Sequence, residues 1–73
     1  MDAKVIEATL KAHLAEMRQR LDQAATIAKA AEACVNKGSI EKAIEIALDI
    51  EQLIYEVNTI LNAASLMKRI YKT

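Results

Sequence analysis

Few side chains in this 73-residue chain could do chemistry. The single histidine, His13, lies three residues before Glu16, so a helix would place both on one face. A di-iron carboxylate bundle needs the reverse order, Glu-x-x-His, on two helices, together with two further carboxylates. The order His-x-x-Glu occurs once here. We therefore expect no metal site, and we interpret His13 as a helix-interface histidine whose hydrogen bonds are satisfied.

The single cysteine, Cys34, has no second thiol with which to form an internal disulfide. A redox or catalytic thiol needs a nearby base or cation that holds the thiolate. Lys37 is the only candidate in the neighbouring sequence, and we expect it to be solvated. The sequence favours a small packed or half-exposed cysteine and leaves its reactivity open.

A second group with chemical potential is a set of carboxylates at helical spacing. The set is Glu41, Glu45, Asp49 and Glu56. We interpret it as a solvated acidic face lying opposite basic residues, because one histidine and one glycine cannot supply a Ser/His/Asp set or a glycine-rich phosphate loop. The sequence therefore predicts a protein that is not an enzyme and that needs no cofactor.

Composition predicts the elements that carry these residues. With no proline and one glycine, nothing interrupts helices except one point near Gly38, and the dominant residue types are helix formers. The predicted fold class is all-α. A chain of this size builds only a marginal core by itself, and without disulfide or metal the missing burial must come from a partner.

Charge and hydropathy exclude other classes of partner. The net charge is zero, which argues against binding to nucleic acid or anionic membrane through a bulk field. The longest uncharged run, Val57 to Met67, is too short and too polar to span a membrane. Charges break every apolar run near the N-terminus, so we predict no signal peptide and a cytoplasmic location.

The first predicted helix covers residues 2–36 and carries a sustained heptad repeat. Its apolar residues alternate spacings of four and three, which is the pattern of a helix packed lengthwise on another. The repeat is formed by Leu10, Leu14, Met17, Leu21, Ala24, Ala28, Ala31 and Val35. We expect this stripe to be the seam with the second helix, tightest where it narrows to alanine.

The predicted turn covers residues 37–39, and the second helix covers about 39–71. Gly38 can take a positive φ after the last helical residue, and the Ser39 hydroxyl can cap the next helix. So short a connection predicts an antiparallel, coiled-coil-like hairpin that forms one domain, residues 1–73. Opposite charges then meet along its length, with Arg18 and Arg20 near Glu56.

The second helix carries more apolar surface than one partner helix can cover. One stripe contains Ala47, Ile50, Ile54, Val57, Leu61 and Ala64. The other contains Ile46, Ile50, Leu53, Val57, Ile60, Ala64, Met67 and Tyr71. We assign the first to the hairpin seam and the second to a further helix, so the predicted partner-binding residues are Ile46, Leu53, Ile60, Met67 and Tyr71. Leu48, Tyr55 and Leu66 lie outside both stripes.

The sequence therefore predicts a non-catalytic protein-interaction module, such as a small adaptor, co-chaperone or regulatory subunit. We expect the hairpin to pair with a second copy in a four-helix bundle, or with another helical protein. In length and architecture it resembles two kinds of helical hairpin. The needle co-chaperones of type III secretion imply binding to a larger helical chaperone. The plasmid-copy-control proteins of the Rop type imply a dimer that binds paired RNA loops.

Overall fold

The computed structural model describes residues 2–72, and these residues form three α-helices and no strand. Helix α1 covers Ala3–Asn36, α2 covers Ile40–Leu48 and α3 covers Ile50–Lys72. The predicted all-α class is confirmed. Within this part of the chain, no helix is both long enough and apolar enough to cross a membrane.

Both ends of α1 are closed by local hydrogen bonds. At its start, the Asp2 carboxylate accepts from the backbone N–H of Lys4 at 3.1 Å. At its end, Gly38 has φ 87° and donates its N–H to the Val35 carbonyl at 2.8 Å. The N–H of Ser39 then donates to the Cys34 carbonyl at 2.9 Å. This pair of bonds is a Schellman motif, which explains why the one glycine lies where the first helix stops.

The second helical arm differs from the expectation in two details. Ser39 precedes α2, but its side chain makes no capping bond, because its ψ of 72° departs from the extended backbone that capping requires. At Asp49 the arm is interrupted for one residue, whose N–H bonds to the Ile46 carbonyl, three residues back, at 3.1 Å. Asp49 keeps right-handed helical angles, so α2 and α3 are joined through a single tightened turn.

The two arms lie side by side in a body of 55 × 15 × 12 Å. Helix α1 packs on both α2 and α3. Arg20 of α1 reaches Glu56 of α3 at 2.8 Å, as the charge pattern predicts. Ile6 near the start of α1 and Met67 near the end of α3 line one groove. These contacts join α1 to the helices on both sides of Asp49.

The core between the arms is small. The buried apolar side chains in the described range are Ile6, Ala24, Ala31, Ala43 and Val57. Three of these five are alanines, and they lie on the half of the molecule that contains the turn. Alanine lets helix axes approach closely but removes little apolar area from water, so the core contributes little hydrophobic stabilisation.

On α1, the structure turns a different stripe inward from the one the heptad pattern predicts. Met17, Ala24 and Ala31 are at least half-buried, as expected. The seam is completed by His13, Arg20, Ile27 and Cys34. The expected Leu14, Leu21, Ala28 and Val35 are exposed instead. The prediction was wrong for these four, because two overlapping stripes share every second residue and periodicity cannot say which one faces the other helix.

On the second arm, the two stripes exchange roles in the same way. Ile46, Leu53 and Ile60, expected to stay free, are half-buried within a single chain. Ala47, Ile54 and Leu61, expected in the seam, are exposed. Both arms are therefore rotated in the same sense relative to the expected packing.

Candidate interaction surface

The exposed apolar residues of the two arms occupy equivalent places beside the seam. On α1, each exposed residue of the stripe directly follows a half-buried residue, as Leu21 follows Arg20. On the second arm, Ile54 follows Leu53 in the same way. In an antiparallel helix pair, the positions that follow the seam on both helices lie on the same side of the pair. The two sets therefore form one surface.

Two observations fix which side this is. Glu7 and Lys68, which directly follow the seam residues Ile6 and Met67, line the same groove at the open end of the molecule. The opposite side is marked by Gln23 and Asp49, which line a groove between the arms together with Thr26 and Gln52. The side marked by Gln23 and Asp49 is polar. The side that follows the seam residues is apolar from Leu14 to Val35 and carries the charged residues Glu7 and Lys68 at the open end.

We call the side formed by the positions that directly follow the seam residues the apolar flank, and the opposite side the polar flank. It consists of Leu14, Leu21, Ala28 and Val35 from α1, and Ile40, Ala47, Ile54 and Leu61 from α2 and α3. All eight are exposed, and its large side chains keep between 40% (Ile54) and 65% (Ile40) of their surface in water. None of the eight is charged. Larger contiguous apolar patches of this kind mark interaction sites on soluble proteins.

Charged residues border the apolar flank rather than interrupt it. On the outer edge of α1, Lys11, Arg18 and Glu32 lie one helical step beyond the flank, and all three are exposed. On the outer edge of α3, the bordering charge is Glu51. An apolar centre with a charged rim is the usual anatomy of a protein–protein interface.

The polar flank is organised around Arg20. Its Nε donates to the Glu56 carboxylate at 2.8 Å, while its Nη1 donates to the Glu16 carbonyl at 3.2 Å. The hydrogen bonds from Gln52 and from Arg20 lower the pKa of Glu56 below its ordinary value of 4.5. Arg20 can occupy a seam position because its aliphatic stem covers the seam while its guanidinium reaches the polar flank.

The two residues with chemical potential have structural surroundings. His13 is half-buried, and its Nδ1 lies 2.9 Å from the Thr9 carbonyl, so this nitrogen donates. Cys34 is half-buried in the last turn of α1. Among the described residues, no group of three His, Cys, Asp or Glu side chains could hold a metal ion.

The predicted partner-binding residues divide into two groups. Ile46, Leu53, Ile60 and Met67 are half-buried, and Leu53 and Ile27 line one groove, so this stripe packs mainly on α1. Tyr71 keeps 66% of its surface exposed at the open end. No described contact tests whether these five also touch a partner, and that remains a prediction.

The residues that belonged to neither predicted stripe lie on the outer face of the second arm. Leu48, Tyr55 and Leu66 are each more than half exposed. Leu48 and Tyr55 line a shallow surface groove together with Glu51 and Gln52. Leu48 and Tyr55 lie beyond the bordering Glu51 and are not counted in the apolar flank.

Sequence reasoning recognised the surplus of apolar surface, but it did not single out the stripe that contains Leu21 and Ile54 as the exposed one. A usable signal existed in the charges. His13 and Arg20 occupy two of the four alternate positions of the stripe that packs inward, and Arg20 reaches Glu56 of the second arm from that stripe. Neither residue is apolar, so apolar periodicity does not reveal this stripe.

Comparison of the chain with protein-family models, with curated proteins and with solved structures gives no match.

Proposed function

We propose that this protein is a non-catalytic interaction module. In this proposal, the chain is an antiparallel helical hairpin whose apolar flank packs against two further helices, so that a four-helix bundle forms. The observation that carries the proposal is the apolar flank itself: eight exposed and uncharged residues, contributed equally by the two arms and bordered by charges. A face of this kind suits the recognition of another helical surface through amphipathic packing.

The energetic reason is the small core. Five buried residues, three of them alanine, leave a two-helix chain with little hydrophobic stabilisation. The large side chains of the apolar flank are 40–65% exposed, so covering each one would contribute roughly half of what full burial gives, about 1 kcal/mol. Covering the flank would therefore add to the limited hydrophobic stabilisation of the core, and we propose that folding is coupled to association.

The partner we propose is a second copy of the chain, and the alternative is a different helical protein. A second copy presents the same apolar flank, so the two surfaces match in length and in hydrophobicity without any further requirement. A different partner would need an apolar groove of about the same length, roughly 35 Å at 1.5 Å per residue.

Charges placed in the apolar flank test the proposal. Leu21→Asp combined with Ile54→Asp should remove association, because two carboxylates would have to be buried without a partner. Light scattering should then give the mass of one 8.1 kDa chain where the unchanged protein gives a multiple of it. Loss of helix content together with loss of the higher mass supports the same conclusion, since folding is coupled to association.

The matched control is Leu48→Asp combined with Leu66→Asp, which adds the same charge to exposed leucines away from the flank. This control should keep both the helix content and the higher mass. If the flank variant keeps the mass of the unchanged protein, or if the control loses it as readily, the apolar flank is not the interaction surface.

A further inference from the structure

We infer that the occupant of the apolar flank is a second copy whose twofold axis runs perpendicular to the helices. Under this symmetry, α1 lies antiparallel on α1 of the second copy, and α3 lies on α3. This inference rests on the proposed function and specifies its partner and geometry. The alternative is a twofold axis parallel to the helices, which places α1 of one copy on the second arm of the other.

The sizes of the side chains distinguish the two arrangements. The flank is symmetric about a midpoint between Leu21 and Ala28 on α1, which coincides in height with the midpoint between Ala47 and Ile54 on the other arm. A perpendicular axis places Leu21 on Ala28 of the second copy and Ile54 on Ala47. In these two central layers large residues then pack on small ones, which favours close packing of the helices.

The parallel axis gives poorer packing. It places Leu21 on Ile54 of the second copy in one layer of the interface, and Ala28 on Ala47 of the second copy in the adjacent layer. Two large side chains then meet in one layer while two alanines leave a gap in the adjacent layer. Such a combination of overpacking and cavity is unfavourable on both counts.

The charges on the rim favour the same choice. With the perpendicular axis, Arg18 lies across the interface from Glu32 of the second copy, and symmetry creates this opposite-charge pair twice. With the parallel axis, Arg18 lies across from Asn58 and Glu32 from Ile44, so neither charge gains a partner. One unfavourable contact accompanies the perpendicular axis, because Glu51 then lies close to Glu51 of the second copy.

The area reaches the lower limit for a specific dimer. The flank is about 35 Å long, from the rise of 1.5 Å per residue, and as wide as the 15 Å body of the two arms. Each copy would therefore bury on the order of 500 Å², and the pair about 1,000 Å², which is the size from which specific interfaces begin.

A distance measurement separates the two arrangements. Ala8 is exposed near the open end, so the variant Ala8→Cys in a Cys34→Ala background carries one spin label on each copy. The perpendicular axis predicts about 50 Å between the labels of a dimer, from the helical rise. The parallel axis predicts about 20–25 Å, because both labels would then lie at the same end of the bundle. The shorter distance would overturn the inference.

Charge variants give an independent readout on the full chain. Arg18→Glu and Glu32→Arg should each weaken dimerisation about fivefold, and the double variant should restore it to within about twofold. Glu51→Gln should strengthen dimerisation, since it removes the like-charge contact at the axis. Additive effects of the two reversals, together with no change for Glu51→Gln, would contradict the perpendicular axis.

Sedimentation of the same samples distinguishes the failure of this inference from that of the proposed function. A dimer with the short label distance overturns only the symmetry. A folded protein that stays monomeric overturns the second copy as occupant, while the apolar flank remains available to a different helical protein. A dimer that the Leu21→Asp and Ile54→Asp variant does not disrupt overturns the proposed function itself.

Discussion

At the scale of single residues, the contact between Arg20 and Glu56 joins the two arms on the polar flank. Arginine at a seam position is unusual in so small a core, and it is tolerated because its charged end reaches a carboxylate on the polar flank at 2.8 Å. Gln52 donates a second hydrogen bond to the same carboxylate. The pair therefore contributes more to the choice of packing face than to the free energy of unfolding.

The lowered pKa of Glu56 makes the contact sensitive to acid. Because the pKa is lower in the folded protein than in the unfolded chain, its contribution to stability is present above about pH 4.5 and is lost as the pH falls through the lowered value. Glu56→Gln should therefore flatten the acid dependence of the thermal unfolding midpoint between about pH 6 and pH 3.

The control for this titration is Glu45→Gln, since Glu45 is exposed and forms no ion pair within residues 2–72. This variant should keep the acid dependence of the unchanged protein. If the Glu56 and Glu45 variants respond alike to acid, the hydrogen bonds to Glu56 do not contribute to stability.

At the scale of helices, the sequence contained most of the fold. The Schellman closure at Gly38 follows from the one glycine in the chain, and the contact of Arg20 with Glu56 follows from the charge pattern. The sequence did not determine which of the two overlapping stripes on each arm faces the other arm. Leu53 and Ile54 are adjacent and similarly apolar, yet the first is half-buried and the second exposed, because rotation of the helix about its axis is set by the opposing arm.

The closeness of the arms near the turn gives a test at this scale. Ala31 is 9% exposed, so Ala31→Leu should force the arms apart and lower the free energy of unfolding by about 1–3 kcal/mol. Ala30 directly precedes Ala31 and is exposed beside the seam. Ala30→Leu should therefore change the free energy of unfolding by less than about 0.5 kcal/mol. Urea unfolding of both variants makes the comparison.

If Ala31→Leu and Ala30→Leu lower the free energy of unfolding equally, the alanines near the turn are not closely packed. A stabilising effect of Ala31→Leu would have the same meaning, since it would require unfilled space between the arms.

At the scale of the whole molecule, the structure combines a minimal core with a long uncharged flank. Five buried residues leave little to offset the conformational entropy of ordering the two arms. Eight exposed apolar residues on one side provide what the core lacks, provided that another surface covers them. The sequence alone revealed this surplus, because its amount depends only on composition and periodicity. The position of this apolar surplus depends on how each helix is rotated about its own axis, which only the structure shows.

We propose that the apolar flank joins two copies of this chain, and this proposal predicts that stability depends on protein concentration. If the native state is a dimer, the thermal unfolding midpoint rises with concentration, because dissociation accompanies unfolding. We expect this rise between about 1 and 100 μM, together with a sedimenting mass of two 8.1 kDa chains. A midpoint independent of concentration, with the mass of a single chain throughout, would show that the flank does not join two copies.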